Sequence, residues 1–122
     1  MNSKHFKDYE FECNCCGYFV NNTELKLILE LVRLKFGGHV TMSSGTRCVK
    51  HNASVGGSKG SKHLTGEAAD IRVFDKDRNQ VDPRKVYDFL CELFPDYYGF
   101  AVYKGFTHVD VRLKKWRAVY AG

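Results

Sequence analysis

Residues 61–73 read SKHLTGEAADIRV, and the conformation of this stretch decides where everything around it can go. His63 and Asp70 stand seven positions apart with Gly66 between them. On a helix they would share a face but lie about 10.5 Å apart along the axis, a strained reach for one shared ligand. Gly66 and the β-branched Ile71 and Val73 also disfavour a helix. Read as a loop entering a strand, the stretch lets Gly66 turn the chain so that His63 folds back over Asp70. The strand then alternates, with Ala68, Asp70 and Arg72 on one face and Ala69, Ile71 and Val73 on the other. Small Ala68 leaves room beside the carboxylate.

A second stretch follows the same rule. In FTHVDVR, residues 106–112, alternation puts His108, Asp110 and Arg112 on one face and Val109 and Val111 on the other. The valines want the same core as Ala69, Ile71 and Val73. If the two strands share a sheet, His63, Asp70 and His108 converge on one polar face among small residues. Two imidazoles and one carboxylate match a catalytic zinc (Zn2+) site, in which a fourth position stays open for water. Such an ion lowers the pKa of water and polarises a carbonyl, which suits amide hydrolysis. The plainer reading is a His–Asp ion pair with a separate surface histidine. The two motifs together favour the metal.

Outward from these strands, Thr23 is expected to cap a helix over TELKLILELVRLKF, with Leu27, Leu31 and Leu34 on one stripe and Ile28 and Val32 beside it. Gly37 and Gly38 end that helix, and HVTMS is expected to be a short strand. Residues 44–62 are rich in Gly, Ser and Asn, a length of loop that is usually functional. DKDRNQ is a polar turn, Asp82 and Pro83 open a second helix through VYDFLCELF, and Pro95 closes it. GFAVY and FTHVDVR form a hairpin across Lys104-Gly105. The expectation is one α+β domain over residues 1–122, with an antiparallel sheet and helices packed on one face.

The chain has 122 residues, 43% hydrophobic and 14% aromatic, which suits a globular domain with a modest core. LKLILELV is the longest apolar run and is too short and too charged to span a bilayer. MNSKHFKDYE lacks an apolar segment of the secretory type, so synthesis and folding in a cytoplasm are expected. The net charge of +5 favours an anionic partner, either nucleic acid or a wall polymer. Nucleic acid is the weaker reading because the first helix is mainly apolar and no basic-aromatic face is evident.

Five cysteines leave at least one thiol unpaired within the chain. Cys13 and Cys16 form a C-x-x-C with Cys15 between them, but Cys48 and Cys91 are isolated, so a four-cysteine zinc site is not completed. Structural thiols are the preferred reading there, a zinc knuckle with His5 and redox chemistry the alternatives, and Cys91 is expected in the core. Tyr97, Tyr98, Tyr103 and Trp116 are expected to serve packing and are left outside the site.

The segment SGTRCVKHNASVGGSKGSKHLTGEAADI, followed by FTHVDVR, resembles the zinc D-Ala-D-Ala carboxypeptidase family, peptidase family M15, which includes phage endolysins and shares its fold with the hedgehog signalling domain. The S-x-H-x-x-G-x-A-x-D element of that family corresponds to Ser61, His63, Gly66, Ala68 and Asp70, and its H-x-D element to His108 and Asp110. The resemblance spans roughly residues 40–112. It implies His63, Asp70 and His108 as zinc ligands, Arg47 as the group holding a substrate carboxylate or developing oxyanion, and Ser61 as a hydrogen-bonding partner of the peptide. It further implies peptidoglycan stem peptides as substrate, no membrane and no nucleic-acid partner. The expected protein is a monomer, made in a host cytoplasm and acting on the bacterial wall after release, as a phage endolysin does.

One position departs from the family pattern. Many members carry a Glu or Asp three residues before the second zinc histidine, where this chain has Gly105. The nearest carboxylate on the same face is Asp110, about 7 Å along the strand from His108. Asp110 is therefore assigned as the base, with orientation of a ligand as its other possible task. Glu67 would face the opposite side, and His51 falls in the glycine-rich loop. A zinc-binding but non-catalytic module of the same fold is the alternative that this departure favours.

Overall fold

In the computed structural model the described residues are 5, 22–44 and 68–120. Helix α1 (Thr23–Phe36) begins where the Asn22 side chain accepts the Leu25 backbone N–H at 3.0 Å. The cap is therefore Asn22, one residue before the expected Thr23. Glu24 in the first turn and Arg33 and Lys35 in the last complement the helix dipole. Gly37 ends the helix at φ +79°, a left-handed conformation that a side chain would strain, with its N–H donating to the Arg33 carbonyl.

The buried stripe of α1 also differs from the expected one. Leu25, Ile28, Leu29 and Val32 face the core, whereas Leu27, Leu31 and Leu34 are 59%, 41% and 81% exposed. Both sets have helical spacing, because leucine recurs on several faces of this helix. The sheet selects the stripe that also carries the β-branched Ile28 and Val32.

Strand β1 (Gly37–Ser44) follows α1 without a loop, then comes β2 (Ala68–Asp75). Asp75 closes the polar turn with one carboxylate oxygen, accepting N–H groups of Asp77 at 2.9 Å and Asn79 at 3.0 Å. Helix α2 (Pro83–Leu93) opens with Asp82 accepting the Arg84 N–H at 3.0 Å and Pro83 in the first turn. Strands β3 (Gly99–Tyr103) and β4 (Phe106–Asp110) then form the expected hairpin, and β5 (Trp116–Val119) completes the chain's described elements.

The five strands lie in the order β1-β2-β4-β3-β5. All neighbours are antiparallel except β3 and β5, which run parallel. The strand β5 has no counterpart in the sequence expectations. Its Arg117 does not behave as a surface charge: the guanidinium donates to the carbonyls of Phe94, Tyr97, Tyr98 and Trp116 and lies 4.6 Å over the Phe100 ring.

One face of the sheet carries Val40, Ala69, Ile71, Val73, Phe100 and Val109 into a core with Leu25, Ile28, Leu29 and Val32 of α1 and Val86 and Leu90 of α2. Thr107 on this face donates to the Pro83 carbonyl at 3.1 Å, tying β4 to the start of α2. Cys91 is partly buried against this core as a free thiol. The fold is α+β with a mostly antiparallel sheet and two packed helices, and the opposite sheet face is left for the polar residues.

Candidate metal centre

Period-2 alternation and register together build the site on that opposite face. Asp70 of β2 pairs with His108 of β4, and His108 pairs in turn with Ala101 of β3. One step along, Ala68, Asp110 and Gly99 form the adjacent row, with Trp116 of β5 beside Gly99. Small residues thus flank Asp110 on both sides, whereas His108 has Asp70 on one side and Ala101 on the other.

His108 Nδ1 lies 3.0 Å from Asp70 Oδ1, and His108 Nε2 lies 2.8 Å from Asp110 Oδ2. All three residues are buried. Burial opposes charge on the His108 ring, but the hydrogen bonds to Asp110 and Asp70 outweigh it and raise its pKa above the ordinary value. Asp110 is fully enclosed. Its two oxygens accept Nε of Arg112 at 2.8 Å and Nη2 at 2.7 Å, and Oδ1 also accepts the Arg112 backbone N–H at 3.2 Å. Burial alone would raise its pKa; the hydrogen bonds from His108 and Arg112 prevail and hold it at about 2.

The environment of Asp110 bears on the two tasks that its position allows. A general base at neutral pH needs a pKa near the working pH and access to the proton it takes. Asp110 has no exposed surface, both oxygens are engaged, and its proton affinity is low. These are the surroundings of a group that orients a histidine.

Arg112, Gly99 and Trp116 complete the surroundings, and none of them is singled out by the motifs. The Arg112 guanidinium lies 4.5 Å over the Trp116 ring, and that ring stands edge-on to His108 with centroids 5.7 Å apart. Trp116, assigned to packing from the sequence, is a wall of the site. Arg112 is visible in FTHVDVR as a same-face neighbour of Asp110. Gly99 carries no local signal, because its importance comes from the residue across the strand pair.

A metal ligand set can be tested on these atoms. Asp70 Oδ1 and His108 Nδ1 are one carboxylate oxygen and one imidazole nitrogen, close enough together for a single ion with ligand bonds of about 2.0–2.2 Å. That donor set suits zinc. Among the described residues no group of three or more His, Cys, Asp or Glu is arranged to hold an ion. His63, the expected third ligand, lies outside the described residues, as do Arg47, Ser61, Glu67, His51, Cys13, Cys15, Cys16 and Cys48.

The mostly antiparallel sheet thus presents an imidazole–carboxylate pair, with a second carboxylate behind the imidazole. The sequence model of the family described as peptidase M15 matches residues 4–110. The chain belongs to the peptidase M15 family and is a metallopeptidase. This family is generally zinc-dependent and acts on peptidoglycan peptides. No curated protein and no solved structure matches the chain.

Proposed function

We propose that the chain is a zinc-dependent peptidase hydrolysing one amide bond in the stem peptides of bacterial peptidoglycan, as a D-Ala-D-Ala carboxypeptidase or an endopeptidase. In this reading it is a phage endolysin, made in the host cytoplasm and reaching the wall after release. The observation that carries the chemistry is the buried Asp70–His108 pair at 3.0 Å, backed by Asp110, on a chain of the M15 family. The net charge of +5 supports attraction to anionic wall material.

His63, Asp70 and His108 would hold the ion. The chemistry such an ion would supply is polarisation of the scissile carbonyl and a lowered pKa for water. Asp70 and His108 enter from adjacent strands of one rigid sheet, so their relative positions are set by backbone pairing. Asp110, whose oxygens are taken up by His108 and Arg112, positions His108. Arg47 holds the substrate carboxylate or the developing oxyanion, and Ser61 hydrogen-bonds the peptide.

The deciding experiment is mass spectrometry of peptidoglycan fragments incubated with the protein, alongside chelator-treated, His63→Ala and His108→Ala samples. Metal-dependent release of D-Ala or of a defined peptide, absent in all three controls, is the expected result and names the bond. Intact fragments from several wall types despite stoichiometric zinc would overturn the catalytic reading in favour of a zinc-containing binding module.

A further inference from the structure

Arg112 lies two residues beyond the end of β4 and still reaches back into the candidate metal centre. Its guanidinium fork takes both oxygens of Asp110, its backbone N–H takes one of them again, and its plane rests on Trp116. The carboxylate it holds is fully buried and lies against Nε2 of His108.

The chemistry of that arrangement fixes protons. A guanidinium does not give up its proton in a protein, so the fork keeps Asp110 ionised and able only to accept. His108 Nε2, 2.8 Å from Asp110 Oδ2, must then be the donor. A neutral imidazole with its proton on Nε2 carries its lone pair on Nδ1, and Nδ1 is the atom beside Asp70. The opposite tautomer would need a protonated Asp110 to donate to Nε2, which the Arg112 fork opposes. Trp116 braces both ends of this chain of contacts, against the guanidinium and against the imidazole.

We infer that Arg112 is a positioning residue of the metal centre: by holding Asp110 as a fixed, ionised acceptor it sets His108 in the tautomer that offers Nδ1 to the ion. The inference rests on the reading of Asp70 and His108 as metal ligands. Lysine does not replace arginine here, because a single ammonium cannot span both oxygens or stack on the indole in the same way.

The test is zinc affinity of the full chain, measured by competition with a chromophoric chelator. Arg117→Gln serves as comparator, since Arg117 is also partly buried but binds backbone carbonyls away from the carboxylates. Arg112→Gln is expected to weaken zinc about 10–100-fold and Arg112→Lys by less, while Arg117→Gln stays within roughly twofold of the parent. A purely structural arginine would lower thermal stability in both Gln variants and leave the affinities alike. Nitrogen-15 NMR of the zinc-loaded parent supplies a readout independent of any variant, with the remaining ring proton of His108 expected on Nε2.

Unchanged zinc affinity in folded Arg112→Gln, or a ring proton on Nδ1 in the parent, overturns the inference. If Arg112→Gln fails to fold, Arg112→Lys and the parent's tautomer decide it. Failure of the parent chain to bind zinc at all is a different result, which removes the metal-site reading and this inference with it.

Discussion

Gly99 stands directly across the strand pair from Asp110, and a β-carbon at Gly99 would fall within the Asp110 carboxylate. The space that lets a charged, fully buried aspartate back His108 is therefore made by a missing side chain on the next strand. Gly99→Ala must push that carboxylate out of its contacts with His108 and Arg112. Overpacking of this kind typically costs about 1–3 kcal/mol. We expect a folded protein with lowered melting temperature and zinc affinity reduced about 10-fold or more, as for loss of a group that orients a ligand. Parallel thermal unfolding and chelator competition check it, and unaltered zinc binding in Gly99→Ala would contradict this account of the slot.

The two leucine stripes of α1 make opposite predictions. Leu29 is fully buried between the helix and the sheet, whereas Leu34 is 81% exposed. Leu29→Ala should destabilise by about 2–5 kcal/mol through lost burial and the cavity left behind. Leu34→Ala should stay within about 0.5 kcal/mol of the parent. Denaturant unfolding of both variants checks the pair, and a large loss in Leu34→Ala would restore the stripe that leucine spacing alone suggested.

These cases show what could be read from the chain and what could not. Alternation is a local property, so the shared face of His108 and Asp110, and that of Ala68 and Asp70, followed from the residues themselves, whereas Arg112 lies beyond the end of β4 and reaches Asp110 by its side chain. The hairpin across Lys104-Gly105 was equally local, with Gly105 at φ +85°. That Asp70 sits opposite His108, or Gly99 opposite Asp110, depends on register between distant segments, which no short window contains. Helix α1 has leucines on several faces, so its spacing was compatible with more than one buried stripe. Strand β5 was obscured by the charges of KKWR, although Arg117 satisfies its guanidinium on backbone carbonyls. Asp110 looked like the available base because it was the nearest same-face carboxylate. Only the structure shows how completely His108 and Arg112 occupy it.

Tyr98 gives a pH dependence away from the metal centre. Its hydroxyl donates to Glu24 at the start of α1, and burial together with that bond raises its pKa to about 12. An unfolded tyrosine ionises near 10. Between those values the unfolded chain has lost a proton that the folded chain retains, so stability falls as pH rises. The contribution is complete below about pH 10 and is lost on passing through the folded pKa. Seven tyrosines titrate together, so the tyrosinate absorbance of the parent minus that of Tyr98→Phe isolates this one. We expect the difference to titrate well above 10, and the stability advantage of the parent over Tyr98→Phe to shrink across that range. A difference curve centred at 10 would show that the Glu24 bond does not persist in solution.

Zinc itself should act as a folding ligand. Asp70 on β2 and His108 on β4 are brought together only by strand pairing, so this site exists in the native chain alone; zinc taken by cysteines of the unfolded chain would reduce the shift. Stabilisation then follows RT ln(1 + [Zn]/Kd), about 2.7 kcal/mol at a hundredfold excess over Kd. The parent should melt at progressively higher temperature as free zinc rises, and chelation should reverse the shift. His108→Ala removes one ligand and should melt at a temperature independent of zinc. Its baseline stability answers a separate question, because Asp70 and Asp110 each lose a hydrogen-bond partner in that variant. Acid opposes the effect: binding requires Nδ1 without a proton, and His108 holds its proton to a higher pH than an ordinary histidine. The zinc-induced shift should therefore decline as pH falls through that raised pKa, ahead of what an unperturbed imidazole would give. Thermal melts in zinc-buffered solutions across this pH range measure both trends. A zinc shift of equal size in the parent and His108→Ala would place the ion elsewhere on the chain.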